Sequence, residues 1–204
     1  MTILKWGLLV LVVGALVVAL VPVVVTQIEK RQAQSNETLL TQPLPTSTNP
    51  VAVVVFSRSG NTAVLGREIA RRTGGDFYRL EALDYELGLV GWVRAMLDAR
   101  KGEAVITPET LDLTSYDTVY LGSPIWLYSP APPIWEFVDN NRFDGQKVVL
   151  FNTYNSNFGP DYIETFQQQV LSKGAVSFEH RAVLRGRMGQ QLSTEEMLRV
   201  FNTQ

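Results

Sequence analysis

The sequence predicts an α/β domain on a parallel sheet with helices on both faces, preceded by a membrane-spanning helix. Three observations predict it. Apolar, β-branched runs such as VAVVVF at 51–56 and KVVLFN at 147–152 have no polar face, so both sides must be buried, as in the strands of a parallel sheet. These runs alternate with stretches of helical period, the order expected of a sheet with crossover helices. Residues 7–25, GLLVLVVGALVVALVPVVV, carry no charge and no strongly polar side chain.

The elements follow in order. As a helix, residues 7–25 would span about 28 Å, close to the roughly 30 Å of a bilayer's hydrocarbon core. Trp6 stands at headgroup level, and Pro22 lies near the far end, where it breaks few helix bonds. A cleaved signal peptide has a shorter apolar run and a small-x-small site, which TQIEKRQ does not offer. A buried core helix would be amphipathic, and this stretch is not. The expectation is therefore a single-pass membrane protein: a flank at 1–6, the anchor at 7–25, a polar linker at 26–50 and a globular domain at 51–204. Lys30 and Arg31 beside the membrane favour a cytoplasmic domain.

Within the domain, 51–56 is a central strand. Residues 61–72 read as a helix with Leu65 and Ile69 one turn apart and Arg67, Arg71 and Arg72 facing out, stopped by Thr73-Gly74-Gly75. A second strand covers 76–83. Residues 85–102 form a helix-biased insertion with Leu89, Val93, Met96 and Leu97 at helical spacing. It is either a packing helix or a lip over a substrate site or a dimer surface. A third strand at 117–122 leads into the proline-studded loop SPIWLYSPAPP at 123–133 and a helix at 134–140. The strand at 147–152 is followed by the polar loop TYNSNFGPD, a helix at 162–171 and a more polar edge strand at 175–184. A short helix at 193–201 opens with a capping box, Ser193 to Glu196.

Composition removes whole classes of chemistry. The chain has no cysteine, so disulfides, thiolate metal sites and cysteine nucleophiles are excluded. The one histidine, His180, argues against a histidine metal site or a Ser-His-Asp triad and reads as a plain strand residue. From residue 51 onward the net charge is about −3, which is no nucleic-acid footprint.

Two loops carry the chemistry. FSRSGNT at 56–62 leaves a buried strand and turns straight into a helix. Beyond the carboxyl end of such a strand, the first helical turn aims unpaired N–H groups and a positive dipole end at a ligand. Ser57, Ser59 and Thr62 add hydroxyls, and Gly60 lets the backbone approach closely. The Walker, GxGxxG and GxSxG patterns are absent. This turn either cradles a phosphate or simply caps its own helix. The second loop sets Trp126 and Tyr128 among Pro124, Pro130, Pro132 and Pro133. Rings held by prolines beside a phosphate cradle suit a flat, phosphorylated ligand, the other reading being that Trp126 is core.

At these residues the chain resembles a family. SRSGNT resembles the flavodoxin phosphate loop, [ST]-x-[ST]-G-x-T. YDTVYLGSPIWLYSPAPPIWEFV is similar to the third strand and following loop of flavodoxin-like proteins with a PIW…APP signature. DGQKVVLFNT matches the next strand, and LGLVGWVRAMLDARKGE resembles an insertion of that subgroup. The resemblance spans about 51–184. It implies a flavodoxin-like three-layer sandwich, a five-stranded parallel sheet of order 2-1-3-4-5 and one bound FMN. By position, Ser57, Arg58 (through its backbone), Ser59, Gly60, Asn61 and Thr62 would hold the FMN phosphate. Pro124, Ile125, Trp126 and Leu127 would edge the isoalloxazine, with Trp126 or Tyr128 against its face. Thr153, Tyr154 and Asn155 would form the third loop.

Two departures stand out. Tyr154 and Asn155 occupy positions where the subgroup often has a glycine pair, and the domain lacks the strong acidity of soluble flavodoxins. The implied function is electron transfer or NAD(P)H/quinone-type oxidoreduction by a membrane-anchored FMN protein. The donor would be NAD(P)H or a protein, and a quinone the acceptor. The flavin does the electron chemistry, so no acid, base, nucleophile or metal ligand is assigned. The other reading is a membrane-tethered binding or scaffold module of the same fold without redox activity.

Overall fold

The computed structural model describes residues 2–186 and 190–203. Within the first helix it describes side chains at Trp6, Gly14 and residues 20–40. The chain begins with that helix, α1 (Thr2–Leu40). The sheet follows: β1 (Val51–Phe56), β2 (Asp76–Leu80), β3 (Thr118–Trp126), β4 (Ser129–Pro130), β5 (Lys147–Tyr154) and β6 (Ser177–Leu184). Five strands are parallel in the order β2-β1-β3-β5-β6, and the two-residue β4 pairs antiparallel with the end of β3. The sheet thus has six strands rather than the five expected. The chain continues as strand through Pro124 to Trp126, read from sequence as loop, then folds straight back on itself.

Strand periodicity divides the core in two. Ala52, Val54 and Phe56 of β1 join one hydrophobic cluster, and Val53 and Val55 join the other. The first cluster is completed by α4 (Pro132–Asn140) and α5 (Pro160–Ser172), which bring Ile134, Phe137, Phe166 and Val170. The second is completed by α2 (Asn61–Thr73) and α6 (Thr194–Phe201), which bring Leu65, Ile69, Met197 and Phe201. These are the three layers. Phe137, Phe151 and Phe166 are fully enclosed, so truncating any of them to alanine costs about 3–5 kcal/mol. At Gly122 in β3, an added Cβ would lie 2.2 Å from the Phe151 ring, so the absent side chain is what lets that ring cross the sheet face.

β2 and β6 are the edges, as the polar character of the last strand implies. His180 on β6 makes a 2.9 Å contact from Nε2 to Oδ1 of Asn152 and sits edge-on to Phe158. Burial lowers its pKa from 6.5 to about 4, which suits a neutral strand histidine. The helix-biased insertion resolves into a 3-10 turn (Leu83–Tyr85) and α3 (Leu89–Asp98).

The N-terminal region differs most from expectation. Residues 26–40 are not a linker but continue α1, and Val25, Thr26 and Asn36 are buried. Among the described residues no helix is long and apolar enough to cross a membrane. That corrects the expected membrane localisation and the transmembrane helix. The described part of α1 carries Glu29, Lys30, Arg31, Glu37 and several amides, and it lies against α2 and α3. Most side chains of the 7–25 stretch lie outside the described residues.

Candidate functional site

Parallel strands bring their carboxyl ends to one edge, where ligands of open α/β sheets gather. Here β1 delivers the 57–60 turn, β3 delivers Pro124 to Trp126, and β5 delivers Thr153 to Asn155. Gly60 caps α2 with a left-handed φ of +82°, a conformation glycine adopts without steric cost. Ser57 Oγ accepts from Thr62 N–H at 3.2 Å, so this serine satisfies one N–H of the first turn of α2. Thr62 Oγ1 lies 2.8 Å from Thr153 Oγ1, tying the first turn of α2 to the end of β5.

Helix α1 crosses the mouth of this turn. Asn36 Nδ2 donates to the Ser59 carbonyl at 3.0 Å and to Asn61 Oδ1 at 2.9 Å. Asn61 Nδ2 in turn donates to Gln32 Oε1 at 3.1 Å and to Ser59 Oγ at 3.2 Å. Gln32 also hydrogen-bonds Gln191. Gly60 is close enough to α1 that an added Cβ would meet Asn36 Cβ at 2.9 Å.

Two adjoining cavities remain. The smaller, about 90 Å³, is lined by Ser59, Asn61, Thr62, Pro124, Ile125, Trp126, Thr153 and Asn155, and closed by Ile28, Glu29, Gln32, Arg58, Arg185 and Gln191. The larger, about 330 Å³, lies within the usual range for ligand pockets. It is lined by Ile125 to Tyr128 and by Asn155, with Trp92 and Met96 of α3 opposite. Arg58, Glu29, Ile125, Trp126 and Asn155 border both.

Of the sequence-predicted residues, Tyr154 lines neither cavity and packs edge-on against Phe158 at 5.3 Å. Ser57 and Gly60 support the turn without lining either space. Trp126 packs edge-on to Phe56 at 5.6 Å and Tyr85 at 5.3 Å, and it also borders both cavities. Leu127 and Tyr128 form the two-residue turn between β3 and β4 at φ 43° and 79°. Positive φ at both central residues is what such hairpin turns need, but neither residue here is Gly or Asn. Backbone strain of this kind gathers at binding sites. In the α3 insertion, Gly91 and Ala95 are buried, and Trp92, Ala95 and Met96 line the larger cavity.

Sequence reasoning missed Glu29, Gln32, Asn36, Trp92, Arg185 and Gln191. Gln32 and Asn36 stand one helical turn apart inside a stretch whose polarity reads as linker, which is the one local signal they offered.

The electrostatics are unequal. Arg58 is buried and fully engaged. It pairs with Glu29 and donates to the carbonyls of Tyr85 at 3.1 Å, Glu86 at 3.2 Å and Gly88 at 2.9 Å. Its guanidinium is thus turned away from the turn that its backbone helps build. Burial pushes the Glu29 carboxyl above its ordinary value, with Arg58 opposing. Arg185, at 6% exposure, has a buried Nε with no hydrogen-bond partner among the described residues. Hydroxyls, a helix N-terminus and an orphaned buried guanidinium N–H form a donor set suited to a phosphate monoester.

No functionally curated protein matches the chain. A flavoprotein from Lactobacillus acidophilus NCFM, solved in complex with FMN, is similar at 21% identity and a TM-score of 0.54, over 66% of this chain and 93% of that one. A candidate flavoprotein from Bacteroides uniformis ATCC 8492 gives 22% identity and a TM-score of 0.56, over 76% and 98%. Trp repressor binding protein from Bacillus subtilis gives 15% and 0.50, over 75% and 98%. At such identities these structures speak to the fold alone. The family model described as flavodoxin matches residues 50–195, most of the chain. The chain therefore belongs to the flavodoxin family.

Proposed function

We propose that this protein binds FMN across the two cavities and acts in electron transfer or NAD(P)H-type oxidoreduction. One observation carries the reading: the loops after β1, β3 and β5 converge on adjoining cavities, one lined by the donors of an anion cradle, the other by Trp126, Leu127 and Tyr128. Ser59, Asn61, Thr62 and Thr153 would hold the phosphate, with Arg58 contributing through its backbone. Ile125 to Tyr128 and Asn155 would border the ring system. Bound FMN supplies the redox chemistry, while the chain binds it, orients it and excludes water. The FMN in the Lactobacillus acidophilus flavoprotein supports the cofactor's identity. The donor would be NAD(P)H or a reduced protein. The quinone acceptor expected of a membrane-anchored protein loses its support with the anchor.

A second reading keeps the fold and drops the redox step, leaving a binding module. The side chains of α1 across the cradle favour it, since Gln32 and Asn36 occupy donors and acceptors of the 59–61 turn. Purified full-length protein separates the two. Flavin absorbance, with reduction by NAD(P)H or a chemical reductant and reoxidation by an acceptor, supports the first. A folded, colourless protein that takes up no added FMN supports the second.

A further inference from the structure

Two arginines line the smaller cavity, and they differ in one respect. Arg58 has a carboxylate partner in Glu29 and three carbonyl acceptors. Arg185 has none of these. Among the described residues its side-chain contact is from Nη1 to Met197 Sδ at 3.4 Å, a weak acceptor, and its Nε has no partner there. Among the described residues no ion pair reaches it. Residues 187–189, which follow closely, contain no carboxylate.

Arginine stays charged when buried, so this arrangement is costly to the ligand-free protein. Burial also works against the charge, depressing the guanidinium below the ordinary arginine value. The backbone fixes it in place: Arg185 N–H donates to the Tyr154 carbonyl at 2.7 Å, and its own carbonyl accepts from Leu192 N–H at 2.8 Å. Arg185 directly follows β6 and lines the cavity that Thr62 and Thr153 also line. With Arg58 and Glu29 cancelling, the described lining of that cavity leaves the Arg185 charge uncompensated.

We infer that Arg185 is the charge partner of a phosphate monoester dianion in the smaller cavity, so that the protein selects phosphorylated over unphosphorylated ligands. The inference rests on the FMN reading above and names the residue that makes it selective. The neutral cradle supplies hydrogen bonds that water could replace. Arg185 supplies a desolvated charge that only an anion satisfies.

The test compares FMN with riboflavin, which lacks the phosphate, by fluorescence titration of the full-length protein and of Arg185→Met and Arg185→Lys. The expected result is tighter binding of FMN than of riboflavin. Arg185→Met should reduce FMN affinity by about tenfold to a hundredfold, the range for a charge-assisted hydrogen bond, and leave riboflavin unchanged. Arg185→Lys should keep most of the preference. Ligand-free Arg185→Met should melt at or above the wild-type temperature, because an unpaired buried charge has been removed. If Arg185→Met does not fold, the wild-type salt dependence decides: FMN binding should weaken with ionic strength and riboflavin binding should not. An unchanged preference in Arg185→Met, or equal salt dependence of the two flavins, overturns the inference. If the wild type binds neither flavin, the FMN reading fails. Inorganic phosphate then decides for Arg185, by raising the melting temperature of the wild type but not of Arg185→Met. A phosphate effect that is absent, or equal in both, overturns it.

Discussion

Asn36 of α1 donates a 2.9 Å hydrogen bond to Asn61, the first residue of α2. Through it, a segment that composition marks as linker is joined to the turn that composition marks as a ligand cradle. Asn36 is 1% exposed and bonds the Ser59 carbonyl as well. Replacing it with alanine leaves Asn61 Oδ1 without this donor inside the protein. Asn36→Ala is expected to destabilise the fold by about 1–3 kcal/mol in urea unfolding, the cost of a buried group left unpaired. A change within a few tenths of a kcal/mol would mean that α1 does not rest on the turn in solution.

Gly60 faces two constraints, a left-handed φ of +82° and Asn36 Cβ against its open side. Gly60→Ala should cost roughly 1–2 kcal/mol from the backbone alone, with the contact to Asn36 adding to it. In the double variant with Asn36→Gly, which removes that Cβ, the contact part should shrink and the backbone part remain, a non-additivity readable from a double-mutant cycle.

Ser59 borders the smaller cavity. Ser59→Asp sets a fixed negative charge against any phosphate there. FMN affinity is expected to fall by roughly a hundredfold or more, with riboflavin much less affected. Equal losses for both flavins would place the phosphate elsewhere.

His180 gives the pH dependence a sign. Its folded pKa is about 4 against an ordinary 6.5, so between these values the unfolded chain binds the extra proton. Stability from this group is present above pH 6.5 and is lost as pH falls toward 4. The effect should be on the order of 1–2 kcal/mol, allowing for screening of a partly exposed ring. His180→Asn should flatten this part of the profile in melts between pH 4 and 7, and an unchanged profile would assign the slope to other groups.

The turn at Leu127 and Tyr128 offers a trade. Leu127→Asn with Tyr128→Gly supplies residues that accept positive φ and should stabilise the protein by about 1–2 kcal/mol. The same change replaces one apolar side chain of the larger cavity with an amide, removes the Tyr128 ring and should weaken flavin binding. A stabilised variant with undiminished affinity would separate the turn from the site.

The fold was legible where side chains report burial directly. VAVVVF reads as a strand buried on both faces, and Ala52 to Val55 are indeed fully buried. Ser193 and Glu196 read as a capping box and form one. What was not legible depends on partners distant in sequence. Residues 26–40 look like linker because their amides find acceptors only across the cradle. Pro124 to Pro130 looks like loop because proline argues against strand, yet the chain pairs there on both sides of Leu127 and Tyr128. Arg185 sits just past a strand end with no motif around it. It reaches the cavity only because β6 pairs beside β5.

The most direct test of the central claim is titration of the full-length protein with FMN, followed by flavin fluorescence and absorbance on material shown to be folded by circular dichroism. The account predicts saturable one-to-one binding, with FMN favoured over riboflavin. A folded protein that leaves the flavin signals unchanged at every FMN concentration would contradict it.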